Sequence, residues 1–205
     1  MLKVGITGGI GSGKTTVCRI FEQQWGIPVY YADDRAKWLM QNDTDLMEAL
    51  REAFGREIYT GSGLLNRVLL AEMVFSDVEK LQQLNALVHP VVQRDNEEWQ
   101  RAQKYKNAPY TLKEAALLYE SGSHALLDKI IVVAAPLEVR IERVMQRDGV
   151  ARQAVLARIS KQMPQEEKER LADFIVQNAS GERTLLLQEV QKTHEKLLKL
   201  AERGA

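Results

Sequence analysis

The chain is poor in the residues that would staple it together or hold it in a membrane. It contains one cysteine, Cys18, which excludes an internal disulfide framework and any zinc site built from clustered cysteines. No apolar run approaches the roughly 18 residues that a membrane helix requires. Neither sign of charge dominates: Lys plus Arg and Asp plus Glu both number 28, for a net charge of zero. That balance argues against a protein that holds nucleic acid or anionic lipid by bulk electrostatics, although it leaves room for a local basic patch. The opening MLKVGITGGIGSGK has glycines and a lysine where a signal peptide needs an unbroken apolar stretch. The expectation is a soluble, cytosolic protein. What the chain does have is 45% hydrophobic residues in a length of 205, enough for one compact domain with room for a small insertion.

Leu2 to Thr7 is a short apolar run stopped by glycines, the pattern of a buried strand. Thr15 to Gln24 then carries Val17, Ile20 and Phe21 at helical spacing, and Val29-Tyr30-Tyr31 resembles a second strand. Strand, Gly-rich turn, helix and strand make a βαβ unit, which points to a parallel sheet covered on both faces. From Asp34 to Lys106 the pattern is almost wholly helical, with a turn at Gly61-Ser62-Gly63, a helical period from Leu64 to Phe75, and Pro90 expected to bend or break the stretch that follows. This block is too long for an ordinary crossover and reads as an insertion. Strands are expected at Tyr110–Tyr119, despite the odd Lys113 and Glu114, at Asp128–Ala135 and at Phe174–Val176. Helices are expected from Leu137 to Arg147, onward to Gln162, after Pro164, and along a closing amphipathic segment bearing Leu186, Val190, Leu197 and Leu200.

Gly8-Gly9-Ile10-Gly11-Ser12-Gly13-Lys14-Thr15 fits G-x-x-x-x-G-K-[ST] at each fixed position, between a predicted strand and a predicted helix. Glycines let successive N–H groups turn inward as an anion nest, and the helix adds the positive end of its dipole. Lys14 can reach the β- and γ-phosphates, and the Thr15 hydroxyl can ligate Mg²⁺. A nucleoside triphosphate with Mg²⁺ follows.

The cradle does not choose among chemistries. No N-K-x-D tetrapeptide for guanine is present, and Ile130 to Ala135 ends without the aspartate that motor ATPases place there. A small-molecule kinase needs a base near the acceptor hydroxyl and cations that close over the phosphates. Asp33, just past the second strand, stands either as that base or as an N-cap for a helix over 34–40. Arg140, Arg143 and Arg147, at i, i+3 and i+7, form either a phosphate clamp on one helix face or a solvated face paired with Glu138, Glu142 and Asp148.

An ordered set of motifs goes further. GITGGIGSGKTT is followed by Ala32-Asp33, by Asn85-Ala86-Leu87-Val88-His89-Pro90 and by Leu117-Leu118-Tyr119-Glu120. Arg143 with Gln146-Arg147-Asp148, Gln162, Ala172-Asp173 and Asn178 complete it. In these the chain resembles the dephospho-coenzyme A kinases from Val4 to about Gly181. The resemblance implies a three-layer α/β P-loop fold with five mainly parallel strands, a helical acceptor-binding insertion at about 34–106 and an arginine-bearing lid at about 137–163. The core would comprise 1–33, 107–136 and 164–205. It implies transfer of the ATP γ-phosphoryl group to the ribose 3′-hydroxyl of dephospho-CoA, with Mg²⁺ at Thr15. A monomer is expected, and the charge balance and hydropathy lead to no expected nucleic-acid or membrane partner. The resemblance implies catalytic roles for Asp33, Lys14, Arg143 and Arg147. ATP contacts would come from Gly9, Ile10, Gly11, Ser12, Gly13, Lys14, Thr15, Thr16 and Asn178, and substrate contacts from Asp33, His89 and Glu120. Another small-molecule P-loop kinase is the alternative, and a nucleotide-gated switch the reading from another class.

Two departures from the family pattern stand out: Tyr31 where the family often has the first Asp of D-A-D, and Ala116 where it often has Pro. His124 and His194 lack ligand partners at metal spacing and read as surface or interface residues, while Cys18 reads as a buried, unreactive thiol. Trp25, Trp38 and Trp99 read as core or groove packing.

Overall fold

The structure is a computed structural model that describes residues 1–75, 77–104, 106–180 and 182–203. Gly181, at the far end of the family resemblance, lies outside the described residues. The elements begin with β1 (Leu2–Thr7), α1 (Lys14–Trp25), β2 (Val29–Tyr31), α2 (Ala32–Asn42) and α3 (Thr44–Phe54). Next come α4 (Arg67–Phe75), α5 (Val78–Lys104), β3 (Tyr110–Glu114) and β4 (Lys129–Ala134). The remainder is α6 (Leu137–Asp148), α7 (Arg152–Ile159), α8 (Gln165–Arg170), β5 (Phe174–Gln177) and α9 (Arg183–Arg203). They fall into two compact units, one of Met1–Tyr31 with Ala102–Ala205, the other of Ala32–Arg101.

The first unit holds the sheet. Its strands lie in the order β2-β3-β1-β4-β5, and every pair is parallel. The chain leaves β1 toward one edge and leaves β4 toward the other, so the carboxyl ends of these neighbours flank a topological switch point, where ligands bind in open α/β sheets. Val4 and Ile6 of β1 and Ile131 and Val133 of β4 pack with Val17, Cys18 and Phe21 of α1 and with Leu186, Val190 and Leu197 of α9. Each such side chain contributes on the order of 1.5–3 kcal/mol by leaving water. The first helix stops at Gly26, whose left-handed φ of 63° lets its N–H cap the Glu22 carbonyl while the Ile27 N–H caps that of Phe21.

Sequence and structure part company at several places. β3 ends at Glu114 rather than Tyr119. Ala115 N–H still bonds to Ile6 O, but the chain then coils through turns closed by Ser121 N–H to Leu117 O and Gly122 N–H to Tyr119 O. Lys113 and Glu114 are both buried, in a strand flanked on both sides, and burial pushes the Lys113 ammonium below its usual pKa. His194 is a core residue, not a surface one. It is 6% exposed, stacks on Trp25 with ring centroids 4.3 Å apart, and hydrogen-bonds through Nδ1 to the Tyr110 hydroxyl. His124 is half-buried, its ring 5.1 Å from that of Tyr119.

The second unit is helical. Asp43 caps α3 by accepting the Leu46 N–H at 2.9 Å, and Asn66 does the same for α4 from the Leu69 N–H at 3.1 Å. The helix therefore starts at Arg67 rather than Leu64, because Leu65 bridges antiparallel to Tyr59. Pro90 does not break its helix: α5 runs through it from Val78 to Lys104. Val88, Val92, Asn96 and Gln100 form a buried stripe at i+4 spacing, whereas Pro90 is exposed. The missing N–H thus costs one hydrogen bond on a helix otherwise pinned along its length.

Candidate phosphate-binding site and lid

The turn after β1 is shaped by close approaches. Gly13, the N-cap of α1, has a left-handed φ of 94°, and a Cβ there would lie 2.2 Å from Asn178 Nδ2. Gly11 has φ 81°, and its Cβ would meet Arg140 O at 2.3 Å. A bond from Ser12 N–H to Gly9 O at 3.0 Å closes the turn, and Val17 N–H to Gly13 O at 3.1 Å starts the helix. Lys14 is buried and folds back along the loop, donating from Nζ to Gly8 O at 3.0 Å. Thr15 and Thr16 are exposed at the first helical turn, where backbone N–H groups lack intrahelical partners and the dipole favours anions. Asn178 donates from Nδ2 to Ser12 O at 2.8 Å, which ties the end of β5 to the loop.

Above the loop stand α6 and α7, whose apolar contact is centred on Ile141, Val144 and Val155, with Met145, Val150, Ile159 and, from the loop, Ile10 packed against it. The three arginines of α6 do not form one uniform cationic face. They share a side of the helix but differ in height along it. Arg140, at the inner end, is buried and donates from Nε to Ala135 O at 3.1 Å. Arg143 is half-buried with Nη1 lacking a partner among the described residues, and it lines a cavity of about 430 Å³ together with Gly13, Thr16, Arg19, Asn178 and Arg183. Arg147, at the outer end, is exposed and forks onto Asp148 at 2.7 and 3.0 Å. Hydrogen bonds from Arg147 and then Arg158 hold the Asp148 carboxyl far below the usual carboxylate range. Of the three, Arg147 alone shows the acidic pairing of the solvated-face reading among the described residues.

Glu120 accepts from the Met163 N–H at 2.9 Å and from Lys168 Nζ at 2.8 Å. Burial alone would raise its carboxyl, but the bonds to Lys168 and to backbone N–H groups outweigh it and hold the pKa below the ordinary value. Lys168 is wholly buried and also donates to Ala116 O at 3.2 Å. Sequence reasoning missed Lys168 and Gln165 because α8 reads QEEKER, polar throughout, so no hydropathy signal marks which side turns inward. Arg19 and Arg183 were missed as well; each is a single basic residue outside any motif.

In the helical unit, Asp33 is exposed in the first turn of α2, which begins at Ala32. It lies inside the helix rather than at its N-cap, so a capping role does not account for it. Asp34 pairs with Lys37 at 2.8 Å. His89 is exposed on α5. Tyr31, at the position where the family pattern often carries Asp, donates its hydroxyl to Glu22 Oε2 of α1 at 2.7 Å. Among the described residues no three His, Cys, Asp or Glu side chains are grouped to hold a metal. The exposed Thr15 hydroxyl beside a loop of backbone donors fits Mg²⁺, a hard cation that usually takes one or two protein oxygens and completes its shell from phosphates and water. No helix of the described residues is long and apolar enough to cross a membrane.

The family model for dephospho-CoA kinase matches residues 2–183. The dephospho-CoA kinase of Chlorobium chlorochromatii is 38% identical over 204 residues, which cover 98% of this chain and 95% of that one. The dephospho-CoA kinase of Salinibacter ruber is 42% identical over 178 residues, covering 87% and 89%. Among solved structures, a Thermus thermophilus protein superposes with a TM-score of 0.83 at 39% identity, covering 95% of this chain and 96% of its own. The dephospho-CoA kinase of Campylobacter jejuni gives a TM-score of 0.70 at 28% identity, covering 96% and 97%.

Proposed function

The chain belongs to the dephospho-CoA kinase family, and from that premise we propose how its own residues carry the transfer of the ATP γ-phosphoryl group to dephospho-CoA. The loop from Gly8 to Thr15 receives the triphosphate, with Lys14 as the mobile cation that follows the transferring group. Thr15 holds Mg²⁺, which supplies charge neutralisation at the phosphate oxygens when bound. The ribose 3′-oxygen of the acceptor attacks the γ-phosphorus as the bond to the bridging oxygen of ADP breaks, and Asp33 takes the hydroxyl proton. Arg143 reaches the nucleotide from the cavity beside Gly13 and Asn178. Arg147, with its hold on Asp148, serves from the outer end of the lid. His89 and Glu120 serve the acceptor, Glu120 by fixing the turn after β3. No second protein copy is required by these roles, and closure of α6 and α7 would keep water from the γ-phosphate.

The observation that carries this reading is the turn itself. A buried lysine, left-handed glycines and a helix N-terminus converge after the central strand of a parallel sheet. The test follows ADP formation from Mg·ATP with and without dephospho-CoA. ADP should form rapidly only with the acceptor. Equal rates with nucleosides, or without any acceptor, would overturn the reading.

A further inference from the structure

Gly9 lies within the phosphate-binding stretch, yet its N–H is already engaged. It donates to Gln165 Oε1 at 2.8 Å in a buried bond. Gln165 is itself 7% exposed, and its Nε2 donates to Val133 O at 3.3 Å and to Glu169 Oε1 at 2.9 Å. One side chain therefore joins the end of β4, the loop and α8. Arg140 closes the other side: a Cβ on residue 9 would lie 2.2 Å from Arg140 Nη1 and 3.1 Å from Gln165 Oε1. A side chain at residue 9 would push the Arg140 guanidinium or the Gln165 amide from its place.

Ile10 is different. Its N–H donates to Gln162 Oε1 at 2.9 Å, in a bond only partly buried, and the Gln162 Nε2 has no partner among the described residues. An amide whose oxygen and nitrogen are both engaged, away from water, is costly to displace. One held by a single half-exposed bond gives way readily to a phosphate oxygen, whose charge makes the stronger hydrogen bond.

We propose that Gln165 is a positioning residue for phosphoryl transfer: it keeps the Gly9 N–H throughout the cycle and thereby fixes the leading turn of the loop, whereas Gln162 yields the Ile10 N–H to phosphate. The donors that meet the nucleotide then begin at Ile10, and Gly9 contributes shape rather than a hydrogen bond. This inference rests on residues 8–15 being the triphosphate loop.

The test is a titration of ¹⁵N-labelled protein with Mg²⁺ and a non-hydrolysable ATP analogue. The Gly9 amide should exchange slowly with solvent before and after the titration, and its resonance should move far less than those of Ile10, Gly13 and Thr15. Movement of Gly9 as large as that of Ile10 would overturn the proposal and leave the loop assignment intact. A titration that moves no loop amide at all would overturn both. In steady-state assays, Gln165→Leu should raise the KM for ATP roughly tenfold by leaving the Gly9 N–H without its acceptor, with little change in the KM for dephospho-CoA. A variant that lost thermal stability but kept its ATP KM would reduce Gln165 to a packing residue. Should the variant not fold, the titration of the unaltered protein still decides.

Discussion

Lys168 Nζ lies 2.8 Å from Glu120 Oε1, with the lysine side chain fully buried and the carboxylate still 21% exposed. The pair ties α8 to the turn after β3, and Met163 N–H joins it from the segment between α7 and α8. Removing one partner of a buried pair typically destabilises by about 3 kcal/mol or more, so Lys168→Met should lower the urea midpoint markedly. Changing both residues to apolar ones should recover much of that loss. The Glu120 carboxyl is held below its ordinary value of 4.5. Its contribution is therefore full above that pH and fades as the pH falls through the lower folded value. The acid limb of stability should be shallower in Lys168→Met than in the parent; identical limbs would remove the pair from the account.

Lys14→Ala should reduce kcat on the order of a hundredfold to a thousandfold, the scale for losing one preorganised charge at the transition state. A rate within a small factor of the parent would refute its role.

Asp33→Asn should lower kcat on the order of a hundredfold or more while nucleotide affinity stays nearly unchanged. Direct titration with nucleotide separates the two quantities. Near-normal turnover would take Asp33 out of the proton transfer.

His194 should make the protein sensitive to mild acid. Burial pushes its imidazole below the ordinary value of 6.5, so the folded chain binds fewer protons than the unfolded one near that pH. Stability is then complete above about 6.5 and declines as the pH falls below it. Thermal midpoints between neutrality and mild acid should show this slope, and His194→Gln should flatten it.

Cys18 should resist an aromatic disulfide reagent in the native protein and react only on unfolding. Burial first, and then the nearby Glu114 and Glu22, push its thiol well above the ordinary value, which disfavours the reactive thiolate. Rapid native-state labelling would contradict the packing described.

The legible parts of this molecule were those governed by local rules. The cradle and the αβ alternation follow from glycine placement and apolar periodicity. So does the closing helix. The parts that were not legible depend on distant partners. Nothing local says that His194 meets Tyr110 across 84 positions, or that Gln165 meets Gly9 across 156. Pro90 looked disruptive because a proline is read one residue at a time, whereas the buried stripe from Val88 to Gln100 acts over several turns. The arginines of α6 share a periodicity that cannot report their depth. Motif order identified the family because it samples many such distant constraints at once.

Ile10 presses into the small apolar cluster of α6 and α7, whose buried members among the described residues are Ile141, Val144 and Val155, with Met145, Val150 and Ile159 packed beside it. A cluster that thin is a poor clasp by itself, and one wall of it is lent by the loop. Any rearrangement of that loop must either drag the two helices along or strip them of their footing. Grip on the ligand and grip on the covering helices are therefore a single mechanical quantity, and trimming Ile10 to alanine would loosen both together.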